Sequence, residues 1–461
     1  MTDRPTDGHL SGGTDASNEQ AVAAAPPAQT GTDAVTPTSP ASPSGGEGPT
    51  HRDEDRPTIL HQILSGSALM SVLAVLLALA IGGLLIAFAD ENVREASAYF
   101  FARPTDLLGA AWTAVSEAYV AMFRGSVFDW QATSFAGMIK PLTESMVFGI
   151  PLILAGLGIA VGFRAGLFNI GAQGQIIVGA IVAAYLGFAF DMPPVIHLLV
   201  AVLGGAIGGA VWAFIPGILK ARFGANEVIV TIMLNYIAVY LISYVLKRPA
   251  FNPGRTGQKS PNVSEDALFP ALVPDWLIPG NTFRLHWGFV VAILATIFVW
   301  WLLERSTIGF QIRAAGANPA AARTAGMSVG KVTVITMVIA GALAGLAASG
   351  QVLGTERALT AGVAATFGFD AITVALLGRS KPWGTFFAGL LFGALKAGGF
   401  LMQSLTQTPI DIVLVVQSLI VLLIAAPPLV RAVFRLPAPG ARPRSPRPSR
   451  SITRPSTEVT A

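Results

Sequence analysis

Residues 143–190 read TESMVFGIPLILAGLGIAVGFRAGLFNIGAQGQIIVGAIVAAYLGFAF. Two apolar runs, 143–163 and 168–190, flank Arg164 and a short glycine- and amide-bearing segment. A helix needs about 20 apolar residues to cross the hydrocarbon of a bilayer, so each run has the length of a membrane span. Working outward, similar runs occur at 66–89, 195–218, 226–246, 285–303, 331–353, 366–378, 383–403 and 410–430. The run at 366–378 is short, which fits a tilted or broken helix or a re-entrant segment. The expected fold is an all-α polytopic membrane protein with about ten transmembrane helices.

Composition supports lipid as the main solvent. The chain has 461 residues, of which 52% are hydrophobic and only 12% charged, with a mean hydropathy of +0.61. Soluble domains carry about 25% charged residues, and a soluble chain built this way would expose large apolar patches. A plain cytosolic enzyme is thereby excluded. With no cysteine, the chain has no disulfide framework, thiolate metal site or cysteine nucleophile. His9, His51, His61, His197 and His286 form no HxxxH or HExxH spacing, so no metal site is expected. No serine-hydrolase elbow is present. Residues 326–332 (GMSVGKV) fall short of a phosphate loop, with Val332 where a magnesium-binding hydroxyl belongs. No catalytic residue is expected.

Three regions are expected. Residues 1–57, rich in Pro, Gly, Ser and Thr, hold nine acidic residues and three arginines and read as a disordered N-terminal tail. Residues 58–430 form the membrane domain, and 431–461, with seven arginines and repeated prolines, form a second disordered tail. The tails cancel in charge, leaving the net +4 on the membrane domain. The basic tail reads as a solvated cytoplasmic segment or as a contact for anionic membrane lipid. No folded nucleic-acid module accompanies it. With the N-terminus inside, the cytoplasmic segments carry nineteen Lys and Arg against ten in the external ones. This bias predicts both termini in the cytoplasm, a cytoplasmic loop at 304–330 and an extracytoplasmic loop at 247–284. The stretch 90–140 breaks the trend and reads as an amphipathic helix along the membrane surface.

Polar groups inside apolar runs carry the functional reading, because each is costly in hydrocarbon unless paired or lining a cavity. Asn169, Gln173 and Gln175 cluster at the mouth of one span. Such amides either glue helices together or mark a broken helix beside a polar pathway. Glu227, Thr231 and Asn235 form one stripe along 226–246, facing either a solute path or partner helices, with Glu227 at the span's end read as a structural pair. Glu144, Asp370, Lys396 and Asp411 are charges near or within spans, and Lys396 is either a pathway residue or the partner of an acid such as Asp370. On the inner loop, Asn318 and Pro319 give a helix start, Ala320 to Ala325 a small-residue helix, and Gly326 its stop. A helix this compact suits docking into another protein's groove, or simply lies on the membrane.

The motifs GLFNIGAQGQ at 166–175, EVIVTIMLNYIA at 227–238 and ALLGRSKPWG at 375–384 resemble permease subunits of bacterial ABC importers. The group is that of branched-chain amino acid and ribose permeases, and the likeness is greatest to its nucleoside and simple-sugar branch. Residues 320–326 resemble the EAA coupling element of such permeases, with Ala320 in place of the usual Glu. The resemblance implies location in the bacterial cytoplasmic membrane and import of nucleosides or related simple sugars. It implies partners: cytoplasmic ABC ATPase subunits, a second permease copy or a paralogous permease, and an extracytoplasmic substrate-binding lipoprotein. ATP and magnesium would be bound by the ATPase, and no cofactor by this chain. Asn318, Pro319, Ala321, Ala322 and Gly326 would dock on the ATPase. Asn169, Gln173, Gln175, Thr231, Asn235 and Lys396 would line the solute path. A permease for branched-chain amino acids and an ion-coupled secondary carrier are the competing readings, the second disfavoured by the shortage of membrane carboxylates.

Overall fold

The computed structural model describes residues 67–434, except 254–258, 275 and 281. The two tails expected at 1–57 and 431–461 lie outside these residues, apart from 431–434. Fifteen α-helices and one two-stranded sheet are described. The long ones are α1 (Ser67–Ala89), α3 (Pro104–Ser126), α4 (Phe135–Arg164), α5 (Ala172–Ala189), α6 (Pro194–Phe223) and α7 (Glu227–Val245). After a long loop come α8 (Gly288–Arg305), α11 (Val329–Gly350), α12 (Phe367–Leu377), α13 (Pro382–Thr406) and α14 (Asp411–Ala425). Short helices α2 (Glu91–Ser97), α9 (Thr307–Ala317), α10 (Pro319–Thr324) and α15 (Pro427–Phe434) connect them.

Every apolar run singled out in the sequence is helical, but eight helices among the described residues are long and apolar enough to cross a membrane, against about ten expected. The shortfall has a geometric cause. Helix α12 has 11 residues, about 16 Å of rise against the ~30 Å hydrocarbon. Helices α14 and α15 together give a ninth candidate, bent by 95° between them. The stretch 90–140 is not a lone surface helix. In it α3 buries Ala118 and Ala121, and the Tyr119 hydroxyl donates to the Leu79 carbonyl of α1. Gly125 of α3 packs on Gly398 of α13.

Helix α4 is the axis of the core. From Gly149 to Gly162 it is buried without interruption, and α8, α11, α12 and α13 pack around it. Helices α6 and α11 approach most closely. Gly205 and Gly209 on one face Gly341 and Gly345 on the other, and a Cβ at Gly209 would strike the Gly341 carbonyl. Lipid supplies no hydrophobic drive between helices, so close backbone packing through such glycine pairs is what holds them. A second cluster joins α1, α3, α13, α14 and α15 through Ala74, Ala121, Met402, Ile420 and Val430.

Helix α11 does not end cleanly. It passes into a π-helical turn, Gln351–Glu356, and Arg357 has φ of +55°. The chain then pairs strand β2 (Ala358–Thr360) antiparallel with β1 (Lys259–Asn262), Lys259 opposite Thr360 and Asn262 opposite Ala358. This ties the 247–284 loop onto the end of α11, with the Phe269 amide donating to the Leu353 carbonyl.

Candidate functional site

The amides of the 166–175 segment are all buried and all engaged by protein. Asn169 and Gln175 exchange two hydrogen bonds of 3.2 Å, and Asn169 Oδ1 also accepts from the Gly171 amide. Asn235 on α7 accepts from the Gly174 amide at 2.9 Å and donates to the Ile170 carbonyl at 2.9 Å. Gln173 reaches across to the start of α12, donating to the Ala365 carbonyl at 2.6 Å and accepting from the Gly368 amide at 2.9 Å. Thr231 is fully buried, its hydroxyl donating to Glu227 and Val228 carbonyls of its own helix. Of the two roles open to these groups, the structure shows helix-joining contacts. These contacts tie α5, α7 and the start of α12 together.

The reason is local. Residues 165–171 form the connection between α4 and α5, at the α10 end of the bundle, and leave buried backbone donors and acceptors outside any helix. Orphaned backbone groups there are costly, and side-chain amides carry both a donor and an acceptor. Four amides satisfy the connection and tether it to α7 and α12.

Lys396, on α13, lies 2.6 Å from Asp370 of α12, with the two side chains 13% and 17% exposed. Thr366 joins them, its hydroxyl 3.1 Å from Lys396 Nζ and 2.7 Å from the Asp370 carboxylate. The ammonium also sits 4.9 Å from the Phe367 ring centre. Lys396 is therefore the paired lysine of the two readings. Glu227 is a structural pair as expected, 2.5 Å from Lys220. The other two charges have different surroundings. Glu144 pairs with Arg284 of the long loop at 3.1 Å and 3.2 Å, and Asp411 is exposed at the first turn of α14.

At one end of the bundle stands the helix α10. Asn318 Oδ1 accepts from the Ala320 and Ala321 amides at 3.0 Å and 3.1 Å, and Pro319 occupies the first helical position. Gly326 ends the turn with φ of +82°. Ala322 is buried, while Pro319, Ala320, Ala321 and Arg323 are exposed. The element is anchored through α9: Gly316 packs on the Arg164 carbonyl and Ala165, and Gly166 on Gly316. A cavity of about 470 Å³ beside it is lined by Lys220, Pro319, Arg323 and Val329 among others. Arg164 Nε donates to the Ser380 carbonyl at 3.0 Å, which brings the 375–384 motif to the same end.

At the opposite end Arg124 and Asp129 pair at 2.9 Å, and that hydrogen bond holds the Asp129 carboxyl below the ordinary carboxylate range. The Glu144 carboxylate raises Arg284 above its ordinary basicity. His286, just before α8, is pushed down to about 4 by burial and by the charge of Arg357. Sequence reading missed Thr366, Gly368 and Arg284, whose contacts with Lys396, Gln173 and Glu144 depend on partners 30, 195 and 140 residues away.

Comparison with known proteins agrees with this architecture. The family described as "Branched-chain amino acid transport system / permease component" matches residues 142–425. A guanosine ABC transporter permease, NupP of Bacillus subtilis, is 42% identical over 62% of this chain and 80% of its own length. A nucleoside ABC transporter permease, NupB of Lactococcus lactis, is 35% identical over 63% of this chain and 81% of its own. A glucose ABC transporter permease, TsgB13 of Haloferax volcanii, is 34% identical over 76% and 85%. No solved structure matches. On a match that takes in α4 to α14, with its membrane helices and its 166–175 and 375–384 motifs, the chain belongs to the branched-chain amino acid transport system permease family.

Proposed function

We propose that this chain is the membrane-spanning permease of an ATP-driven importer that carries nucleosides across the bacterial cytoplasmic membrane. The observation that carries the reading is the link from α10 to α12. The exposed small-residue face of α10 is joined through the Gly316–Gly166 contact to the 166–175 segment, and Gln173 of that segment grips the start of α12. A push on α10 therefore has a route, through that segment and the Gln173 side chain, to the short helix α12. Transporters place solute contacts and hinges at short or interrupted helices. Two cytoplasmic ATPase subunits would bind ATP and magnesium and close on this face, a second permease would complete the pathway, and a substrate-binding protein would deliver solute at the far end. In this arrangement α10 and both tails face the cytoplasm, as the Lys and Arg bias requires.

Relatives named for guanosine and nucleosides favour a nucleoside over a hexose, and the family's description keeps branched-chain amino acids as the second reading. Uptake of labelled guanosine into cells with and without the chain tests the choice. Competition by adenosine and uridine, with none by leucine, is the expected pattern. Competition by leucine alone transfers the chain to the amino acid reading. Uptake that persists without ATP and collapses with a protonophore makes it an ion-coupled carrier.

A further inference from the structure

A cavity of about 600 Å³ opens at the end of the bundle opposite α10, between α3, α4, α13 and the loop before α8. Its volume is that of a small-molecule pocket. Phe148 and Phe400 form its aromatic wall, with ring centres 5.6 Å apart and planes at 24°. Phe400 remains 52% exposed, so its outer face is free while Phe148 backs it. The polar rim consists of the Glu144–Arg284 pair, Lys140, Ser404 and Asp129, the last paired with Arg124. Lys140 donates to the Thr282 hydroxyl at 3.1 Å.

We infer that this cavity receives the transported solute, with a heterocyclic base lying on Phe400 and sugar hydroxyls meeting the Glu144–Arg284 pair. The inference rests on the nucleoside reading and names where that solute first binds. The chemistry of the wall and the rim selects the class. A free aromatic face favours a flat ring, since base–aromatic stacking is available to any nucleobase. The rim pair is neutral as a unit and offers both guanidinium donors and carboxylate acceptors, which suits an uncharged polyol. An anionic or cationic ligand would have to break that pair. The face of α13 that lines the cavity also runs inward. Ser404, Phe400 and Lys396 fall on one stripe of α13, four residues apart, so the stripe that lines the cavity leads down to the Lys396–Asp370 pair beside the start of the short helix α12.

The absence of cysteine from the chain gives a clean probe. Ser404→Cys is introduced into the complete transporter in cells and labelled from outside with a membrane-impermeant maleimide. Lys140→Cys serves as a second site on the cavity, and exposed Asp191→Cys, outside it, as the control. Guanosine is expected to slow labelling at both cavity sites and leave the control unchanged, while free ribose protects neither. Adding Phe400→Ala should raise the guanosine concentration giving half-protection about tenfold, and Phe400→Trp should keep it low. Guanosine uptake is measured in the same cells. Intact uptake with no protection at either cavity site overturns the cavity as the binding place and leaves the nucleoside reading standing. Equal protection by ribose overturns the role of Phe400. No uptake of any nucleoside, with leucine uptake present, removes the nucleoside reading itself.

Discussion

The side-chain carbonyl of Gln173 on α5 accepts the backbone amide of Gly368 on α12 at 2.9 Å, across 195 residues of chain. The same side chain donates to the Ala365 carbonyl at 2.6 Å. A Cβ at position 368 would run into the backbone of Gln173. The short helix α12 is thus seated on α5 by one amide and by the lack of a side chain opposite it.

Replacing Gln173 with Leu keeps the bulk and strands one amide and one carbonyl. Each stranded buried group costs about 1–3 kcal/mol. The purified variant should melt several degrees below the parent. Gly368→Ala should be at least as damaging, because the obstacle is the Gln173 backbone and cannot rotate away. A Gln173→Leu protein with unchanged melting and unchanged uptake would remove this contact from the list of structural supports.

Gly326 and Gly224 both hold left-handed backbone, φ of +82° and +67°, and nothing lies within 4 Å of either position where a Cβ would go. Alanine at either site should cost about 1 kcal/mol of backbone strain and little more. Arginine separates the two. Gly326→Arg should insert normally yet abolish ATP-coupled uptake, because the side chain would stand between α10 and its ATPase. Gly224→Arg, on the far side of the cavity beside α10, should reduce uptake much less. Equal uptake in the two arginine variants would argue against docking at α10.

Lys396 and Asp370 form a pair that is mostly shielded, so neutralising one member leaves the other charge uncompensated. Lys396→Met should destabilise by about 3–5 kcal/mol. Lys396→Met with Asp370→Leu should regain much of that loss, since a well-packed apolar pair often replaces a buried ion pair without penalty. Thermal melting of the three variants in one detergent gives the comparison. A double variant no more stable than Lys396→Met would show that the pair is not an isolated unit.

His286 titrates at about 4 in the fold, below the ordinary 6.5, because burial and Arg357 disfavour its charged form. A depressed histidine binds fewer protons folded than unfolded. It therefore costs nothing above about pH 6.5, and stability falls as the pH drops from there toward 4, by up to roughly 3 kcal/mol. Melting temperature against pH should decline across that window, and His286→Gln should flatten the decline. A parent and variant with parallel profiles would place the acid sensitivity elsewhere.

Much of the fold was legible in the chain because the bilayer imposes a simple requirement. An apolar run long enough to cross must be helical, since no water is present to satisfy its backbone. Each run marked in the sequence is helical over most of its length, and the capping residues of α10 behave as their chemistry dictates: Asn318 accepts, Pro319 opens and Gly326 closes. Whether a helix is long enough was also partly readable, as the short run at 366–378 became α12. The paired state of Glu227 was anticipated from its place at the end of a span.

The sequence by itself determined that the chain is helical, lipid-embedded and equipped with a capped small-residue helix, because local hydropathy and capping chemistry depend on neighbours a few residues away. Only the tertiary structure decided what the polar groups do. Asn169, Gln173, Gln175 and Asn235 are engaged by backbone and by one another, Lys396 meets Asp370 and Thr366, and Phe148 meets Phe400. These partners are separated by up to 252 residues along the chain, and a donor's fate depends on which acceptor the packing brings within about 3 Å.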